Sequence, residues 1–258
     1  MLNFRNVNII FVLLVIALIT VHRVFVPISL WVYVVTVWIY CSILAYGAYF
    51  IKAGFFIKSH CKGHPNRKEV ALSFDDGPLE DFTPEVLKIL REHDVQAAFF
   101  CIGNRIEGRE DILKSMHADG HIIGNHSFHH GPYIDLYSSK RILQELQDTD
   151  NAIHKVIGEK PRMFRPPYGV TNPNMRNAIV NGGYASIGWS VRSYDTVAKD
   201  ADKLLEKVTK HVKNGDVFLF HDTCAVTVQL LPYLIQRLRN QGFTIVRLDE
   251  ILNIPAYA

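Results

Sequence analysis

Two long apolar runs open the chain, and shorter apolar segments alternate with amphipathic ones after them. The first run is Ile9–Val21, ended by His22 and Arg23; the second covers 24–51, 28 residues without a charge. Roughly 20 apolar residues cross a bilayer core as a helix. The pattern predicts a transmembrane helical hairpin over about 7–25 and 28–50, with Pro27 near the start of the second helix and a single-span anchor as the second reading. A cleaved signal peptide is disfavoured, because no small-x-small site follows Ile19 and more apolar sequence comes directly after it. Residues 1–60 therefore read as an anchor whose partner is membrane lipid.

The remainder switches period. Strand-like stretches fall at 69–74, 97–102, 121–123, 163–164, 184–189, 216–220 and 243–246. Amphipathic helical stretches lie between them at 84–93, 111–118, 139–156, 175–180, 201–212 and 228–239. Strand then helix, repeated, is the signature of a parallel sheet with crossover helices, so residues 66–252 read as one α/β domain. Periodicity alone does not separate an open doubly wound sheet from a barrel.

Charge sharpens this division. Residues 1–60 hold Arg5, Arg23, Lys52 and Lys58 and no carboxylate, leaving 24 basic and 25 acidic residues for the rest. A near-neutral body lacks the basic stripe that nucleic acid requires, so no nucleic-acid partner is expected. With 48% hydrophobic and 21% charged residues the chain is not disordered, and four cysteines do not make a disulfide scaffold.

Polar clusters follow the strands. Ser73-Phe74-Asp75-Asp76-Gly77-Pro78 closes the first, and Asn125-His126-Ser127-Phe128-His129-His130 follows the third. Arg165-Pro166-Pro167-Tyr168-Gly169, Tyr194-Asp195 and His221-Asp222 follow later ones. Reactive groups at the C-terminal ends of many strands favour a barrel. Adjacent carboxylates repel and want a cation or a shared proton, although Asp-Gly-Pro alone is ordinary turn chemistry. His126 and His130, four apart, can share one face and grip a metal; imidazoles with a carboxylate suit a divalent transition ion, Zn2+ most commonly. His129 is expected to point elsewhere. Arg165, fixed before two prolines, can hold a carboxylate. Asp195 becomes informative only if it pairs with His221. Cys101 reads as core and Cys224, three residues beyond His221, as a bystander.

In order, Ser-Phe-Asp-Asp-Gly-Pro, His-Ser-Phe-His-His, Arg-Pro-Pro-Tyr and Leu-Phe-His-Asp resemble the polysaccharide deacetylases of the NodB homology domain, carbohydrate esterase family 4, over roughly residues 66–250. The resemblance implies a distorted, incomplete (β/α) barrel of about seven strands and metal-dependent removal of N- or O-acetyl groups from a glycan. It implies Asp75 as general base, Asp76, His126 and His130 as metal ligands, and Arg165 as the residue holding the base. It also implies the Tyr168 amide as an oxyanion donor and His221 as general acid oriented by Asp195, with Pro167 at the substrate.

The fourth family motif is altered. Arg192 stands where an aspartate is usual and Thr196 where a tryptophan would line the groove. Arg192 is therefore expected either to meet an anionic substituent of the substrate or to form a surface ion pair. The expected substrate is a cell-envelope glycan, chitin-like or peptidoglycan. A lipid-linked sugar (deacetylation or deformylation) and a catalytically silent carbohydrate-binding membrane protein are the alternatives. The resemblance points to an extracytoplasmic catalytic domain, whereas the basic residues just after the second apolar run, Lys52 to Lys68, lean towards the cytoplasm. The sequence leaves the oligomeric state open.

Overall fold

The computed structural model describes residues 3–258. Helices α1 (Phe4–Val24) and α2 (Leu30–Tyr49) form an antiparallel hairpin and are both long and apolar enough to cross a membrane. Asn3 and Ser29 cap them, each side chain accepting a bond from a first-turn amide. Facing residues fix the pairing: Phe11 stacks on Tyr40 at 4.0 Å, Tyr40 donates to Asn8 Oδ1 at 2.9 Å, and Tyr33 donates to the Leu18 carbonyl at 3.2 Å. The outer faces, including Leu13, Trp31 and Trp38, are bare.

The body is a curled parallel sheet wrapped by helices. Its strands are β1 (Glu69–Asp75), β2 (Ala98–Cys101), β3 (Ile122–Asn125), β4 (Met163–Phe164), β5 (Ala185–Ser186), β6 (Val191–Arg192), β7 (Val217–His221) and β8 (Thr244–Ile245). The order is β5-β4-β3-β2-β1-β7-β6, and β8 pairs with the start of β1. One stretch of chain, 185–192, makes both ends of this order: β5 lies on β4 and β6 on β7, so that stretch bridges the opening of the barrel. The expected strand at 184–189 is thus shorter, and β6 is a strand the hydrophobic pattern did not announce.

Alternation along β1 shows how the core is divided. Val70, Leu72 and Phe74 face outward and pack with Val86, Leu87 and Leu90 of α3 (Thr83–Glu92) and Leu230, Leu231 and Leu234 of α8 (Ala225–Asn240). Ala71 faces inward, where Ala98, Phe100, Ile122, Met163, Ile187 and Val217 fill the barrel and Leu248 of α9 (Leu248–Leu252) plugs its lower end. Ser73 and Asp75 continue the inward row, which delivers Asp75 to the upper mouth. The other helices are α4 (Glu110–Ala118), α5 (Ser139–Ile157), α6 (Pro173–Gly182) and α7 (Ala201–Thr209).

The packed body is wider than 66–252. His60 pairs with Ile187, Lys62 with Asp216, and Tyr257 with Pro161, while Ala256 is buried. Residues 54–65 and 253–258 therefore belong to it.

Candidate active site

The upper mouth of the barrel holds a cleft of about 200 Å³ lined by Asp75, Asp76, His126, His130, Pro166, Tyr168, Gly169, Trp189, Arg192, Tyr194, Thr196, Leu219 and His221. The chemically active side chains arrive from five strand ends. β1 ends in Asp75; β3 leads into His126 and His130; β4 leads into Arg165; β6 supplies Arg192 and leads into Asp195; β7 ends in His221.

Asp75 is buried and anchored on one oxygen. Arg165 Nη1 donates to its Oδ1 at 2.6 Å, while Oδ2 stands 3.8 Å from His126 Nε2. Arg165 itself is fully buried, donates through Nη2 to the Gly188 carbonyl at 3.1 Å, and lies 4.0 Å over the Phe100 ring. The guanidinium thus joins β1 to the closing stretch 185–192 across the inside of the barrel.

Asp76 presents Oδ1 to two imidazoles, His126 Nε2 and His130 Nε2, each at 3.5 Å. This oxygen is buried and receives no hydrogen bond from the described residues. His126 Nδ1 lies 2.7 Å from the Arg165 carbonyl, so it is the protonated nitrogen and Nε2 carries its lone pair into the cleft. Burial, with His126 beside it, lowers His130 to about 4, which keeps its ring neutral. His129 turns away and binds Glu145, through Nδ1 and through its amide, both at 2.9 Å.

His221 faces the cleft with Nε2, 4.0 Å from Asp76 Oδ2, and is held from behind by Asp195. Asp195 Oδ1 accepts from His221 Nδ1 at 2.8 Å and from Ser193 Oγ at 2.8 Å. Its Oδ2 accepts from the His221 amide at 2.6 Å and from Thr227 Oγ1 at 2.7 Å. Burial alone would depress the imidazole, but the hydrogen bond and charge of Asp195, with Asp75 and Asp76 beyond, raise it to about 9. The conditional pairing of Asp195 with His221 is thus present. Ser193 and Thr227 complete it; the Thr227 hydroxyl, on a later helix, carries no sequence signal for a partner 32 residues away.

The Arg-Pro-Pro-Tyr turn places Tyr168 at φ 59°. Gly169 N donates to Pro166 O and Val170 N to Pro167 O, so the turn leaves the Tyr168 amide unused. Pro166 lines the cleft, and Pro167 is buried behind it. Asp76, His130, Tyr168 and Tyr194 all line the cleft with left-handed backbones. Burial pushes the Cys224 thiol up to about 11, with Asp195 adding to it, so it stays protonated.

Arg192 and Thr196 both reach the cleft wall. The Arg192 guanidinium stands 5.7 Å from the Trp189 ring centre and 4.9 Å from that of Tyr194. Among the described residues it forms no ion pair; the expected alternative of a surface salt bridge is absent.

Residues 62–187 match the polysaccharide deacetylase family. A peptidoglycan-N-acetylglucosamine deacetylase of Bacillus cereus is 32% identical over 199 residues, 73% of this chain and 72% of that protein. Of some longer curated relatives with the same description the chain spans 39%. Among solved structures, the Bc1960 peptidoglycan N-acetylglucosamine deacetylase superposes with a TM-score of 0.73 at 30% identity, covering 77% of this chain and 94% of that one. A protein of Bacillus anthracis described as a family pseudoenzyme superposes at 0.70 with 30% identity, covering 74% and 68%. The ordered motifs, the curled half-barrel and these likenesses agree: this chain belongs to the polysaccharide deacetylase family, carbohydrate esterase family 4.

Proposed function

We propose that the chain is a metal-dependent hydrolase that removes N-acetyl groups from amino sugars of a cell-envelope glycan, held on the membrane by α1 and α2. The observation that carries this reading is the pair of buried partners around one cleft, Arg165 on Asp75 and Asp195 on His221. They keep a carboxylate and a protonated imidazole in one cleft with Asp76. A silent binding protein has no use for either.

A divalent cation fits this chain. Asp76 Oδ1 is buried without a donor among the described residues, two imidazoles aim at it, and the three ligand atoms lie within 4.8 Å of one another. Asp76, His126 and His130 would hold the ion, and Zn2+ is the best match to such a nitrogen and oxygen set. When bound, it supplies Lewis acidity to the acetamide carbonyl and to water.

The chain's own groups do the rest. Asp75 takes the proton of the attacking water on Oδ2, while Arg165 keeps Oδ1 occupied and the carboxylate fixed in plane. The Tyr168 N–H donates to the carbonyl oxygen as negative charge develops there. His221 Nε2 gives its proton to the departing sugar amine, and Asp195 stabilises the charged ring until that transfer.

Acetate release from acetylated chito-oligosaccharides and peptidoglycan fragments, with and without chelator, tests the reading. The expected result is release that chelator stops and Zn2+ restores. Release unaffected by chelator, or none from any glycan with Zn2+ present, overturns it.

A further inference from the structure

The anchor and the cleft are built into each other. Thr171, two residues past Gly169 of the cleft wall, is buried and donates its amide to the Ala48 carbonyl at 3.0 Å. Ala48 lies in the last turn of α2, so the oxyanion loop satisfies one of the carbonyls that a helix end leaves free. Ile51, two residues beyond α2, is buried against Trp189 and Leu219, both cleft residues. Lys52 Nζ donates to the Ser190 carbonyl at 2.6 Å, on the stretch that carries Trp189 and Arg192.

The connection is not a tether. Phe4 N donates to Phe55 O at 3.1 Å, and the rings of Phe4, Phe55 and Phe56 pack together. His60 N donates to Ser186 O at 2.8 Å, and Gly63 N to Gly215 O at 2.8 Å. Two residues of chain reach at most about 7 Å, so the cleft rim stands within about 10 Å of the end of α2. A 20-residue helix is about 30 Å long, the whole hydrocarbon thickness. With α1 and α2 crossing the bilayer as proposed above, the cleft opens in or just above the headgroup layer and is not free to swing away from it.

Two cations mark this rim without acidic partners. Among the described residues neither Arg192 nor Lys52 has a carboxylate within salt-bridge distance, and Arg192 is exposed beside the exposed ring of Tyr194, which is suited to a sugar face. A planar guanidinium is the preferred donor for phosphate. We propose that the substrate is a glycan still joined through phosphate to a membrane lipid, with Arg192 on the phosphate, Lys52 adding positive charge from the membrane side, and the acetamide reaching Asp75 and His221. This rests on the deacetylase reading and names the form in which its substrate is presented.

The experiment uses the full chain in phosphatidylcholine vesicles with a chitobiose presented four ways. It is free, free as its 1-phosphate, lipid-linked through a phosphodiester, or lipid-linked through a neutral ether. The phosphodiester-linked form is expected to lose acetate at least about tenfold faster than the free sugar, the factor that one charge-assisted contact contributes. Arg192→Gln should reduce the ratio of phosphodiester to ether rates about tenfold, and Arg192→Lys should recover part of it. Affinities of the chelated chain for the four glycans should follow the same order, which reads the inference even where no acetate is released. Equal rates and affinities for all four overturn it. So does a free 1-phosphate that matches the lipid phosphodiester, because the anion alone would then suffice. No acetate from any of the four with Zn2+ present overturns the deacetylase reading instead.

Discussion

His121 immediately precedes β3, and its ring is only 2% exposed. Nδ1 accepts the Ala97 amide at 3.1 Å, and Nε2 is buried with no partner among the described residues. Burial pushes the imidazole from its ordinary 6.5 down to about 4; Asp119 opposes the shift, and Arg91 and Arg247 add to it. Because the folded value lies below the unfolded one, the unfolded chain takes up the proton first. The stability carried by the neutral ring is complete above about pH 6.5 and is lost as pH falls towards 4. A shift from 6.5 to about 4 corresponds to about 3 kcal/mol in full, of which about 2 kcal/mol is gone by pH 5. The test compares the wild type with His121→Asn, whose Oδ1 can still accept from Ala97. Urea unfolding of both is followed in detergent from pH 8 to pH 5. Carboxylates common to both proteins cancel, so the wild type should lose about 2 kcal/mol more than the variant. Identical pH slopes would falsify the argument, since nothing else distinguishes the two chains in that window.

Asp75→Asn should lower kcat by about 10²–10⁴ with bound Zn2+ unchanged by elemental analysis; activity within about tenfold of wild type would remove Asp75 from the base position. Arg165→Met leaves the buried Asp75 charge uncompensated and should cost about 3–5 kcal/mol by denaturant midpoint, with Arg165→Met/Asp75→Leu recovering most of it. A single variant as stable as the double would contradict that account. Thr227→Val removes one donor from Asp195 and should cost about 1.5–3 kcal/mol while reducing kcat less than Asp195→Asn does; unchanged stability and rate would show that the hydroxyl contributes nothing.

The legible parts of the sequence were those where one residue type answers one need. Strand β1 ends where inward alternation delivers Asp75, and α3 to α8 lie within a few residues of their expected limits because their apolar stripes are complete. The polar clusters at the strand ends meet around one cleft. Elsewhere the signal lay in tertiary pairing. β6 is two residues long and is defined by β7 alone, so no period could reveal it. α9 has five residues, too few for a stripe, yet Leu248 and Ile251 plug the barrel. The limits of the anchor at 60 and of the body at 66 followed composition, whereas the chain between them is fixed by backbone bonds that composition does not encode. Pro167 differed from its neighbour Pro166 only in which face of one turn it occupies.

The left-handed backbones of Asp76, His130, Tyr168 and Tyr194 have a thermodynamic consequence. Each non-glycine residue in that region costs about 1–3 kcal/mol, so the rim stores an amount comparable to the net stability of a domain. The walls that hold it are Arg165, Asp195 and the docked end of α2. A variant that loosens any of them lets the rim relax first, and activity should disappear well before the barrel melts. Any ligand that stiffens the rim ties down the same reserve, so it should raise the melting temperature of the whole body and not of the cleft alone.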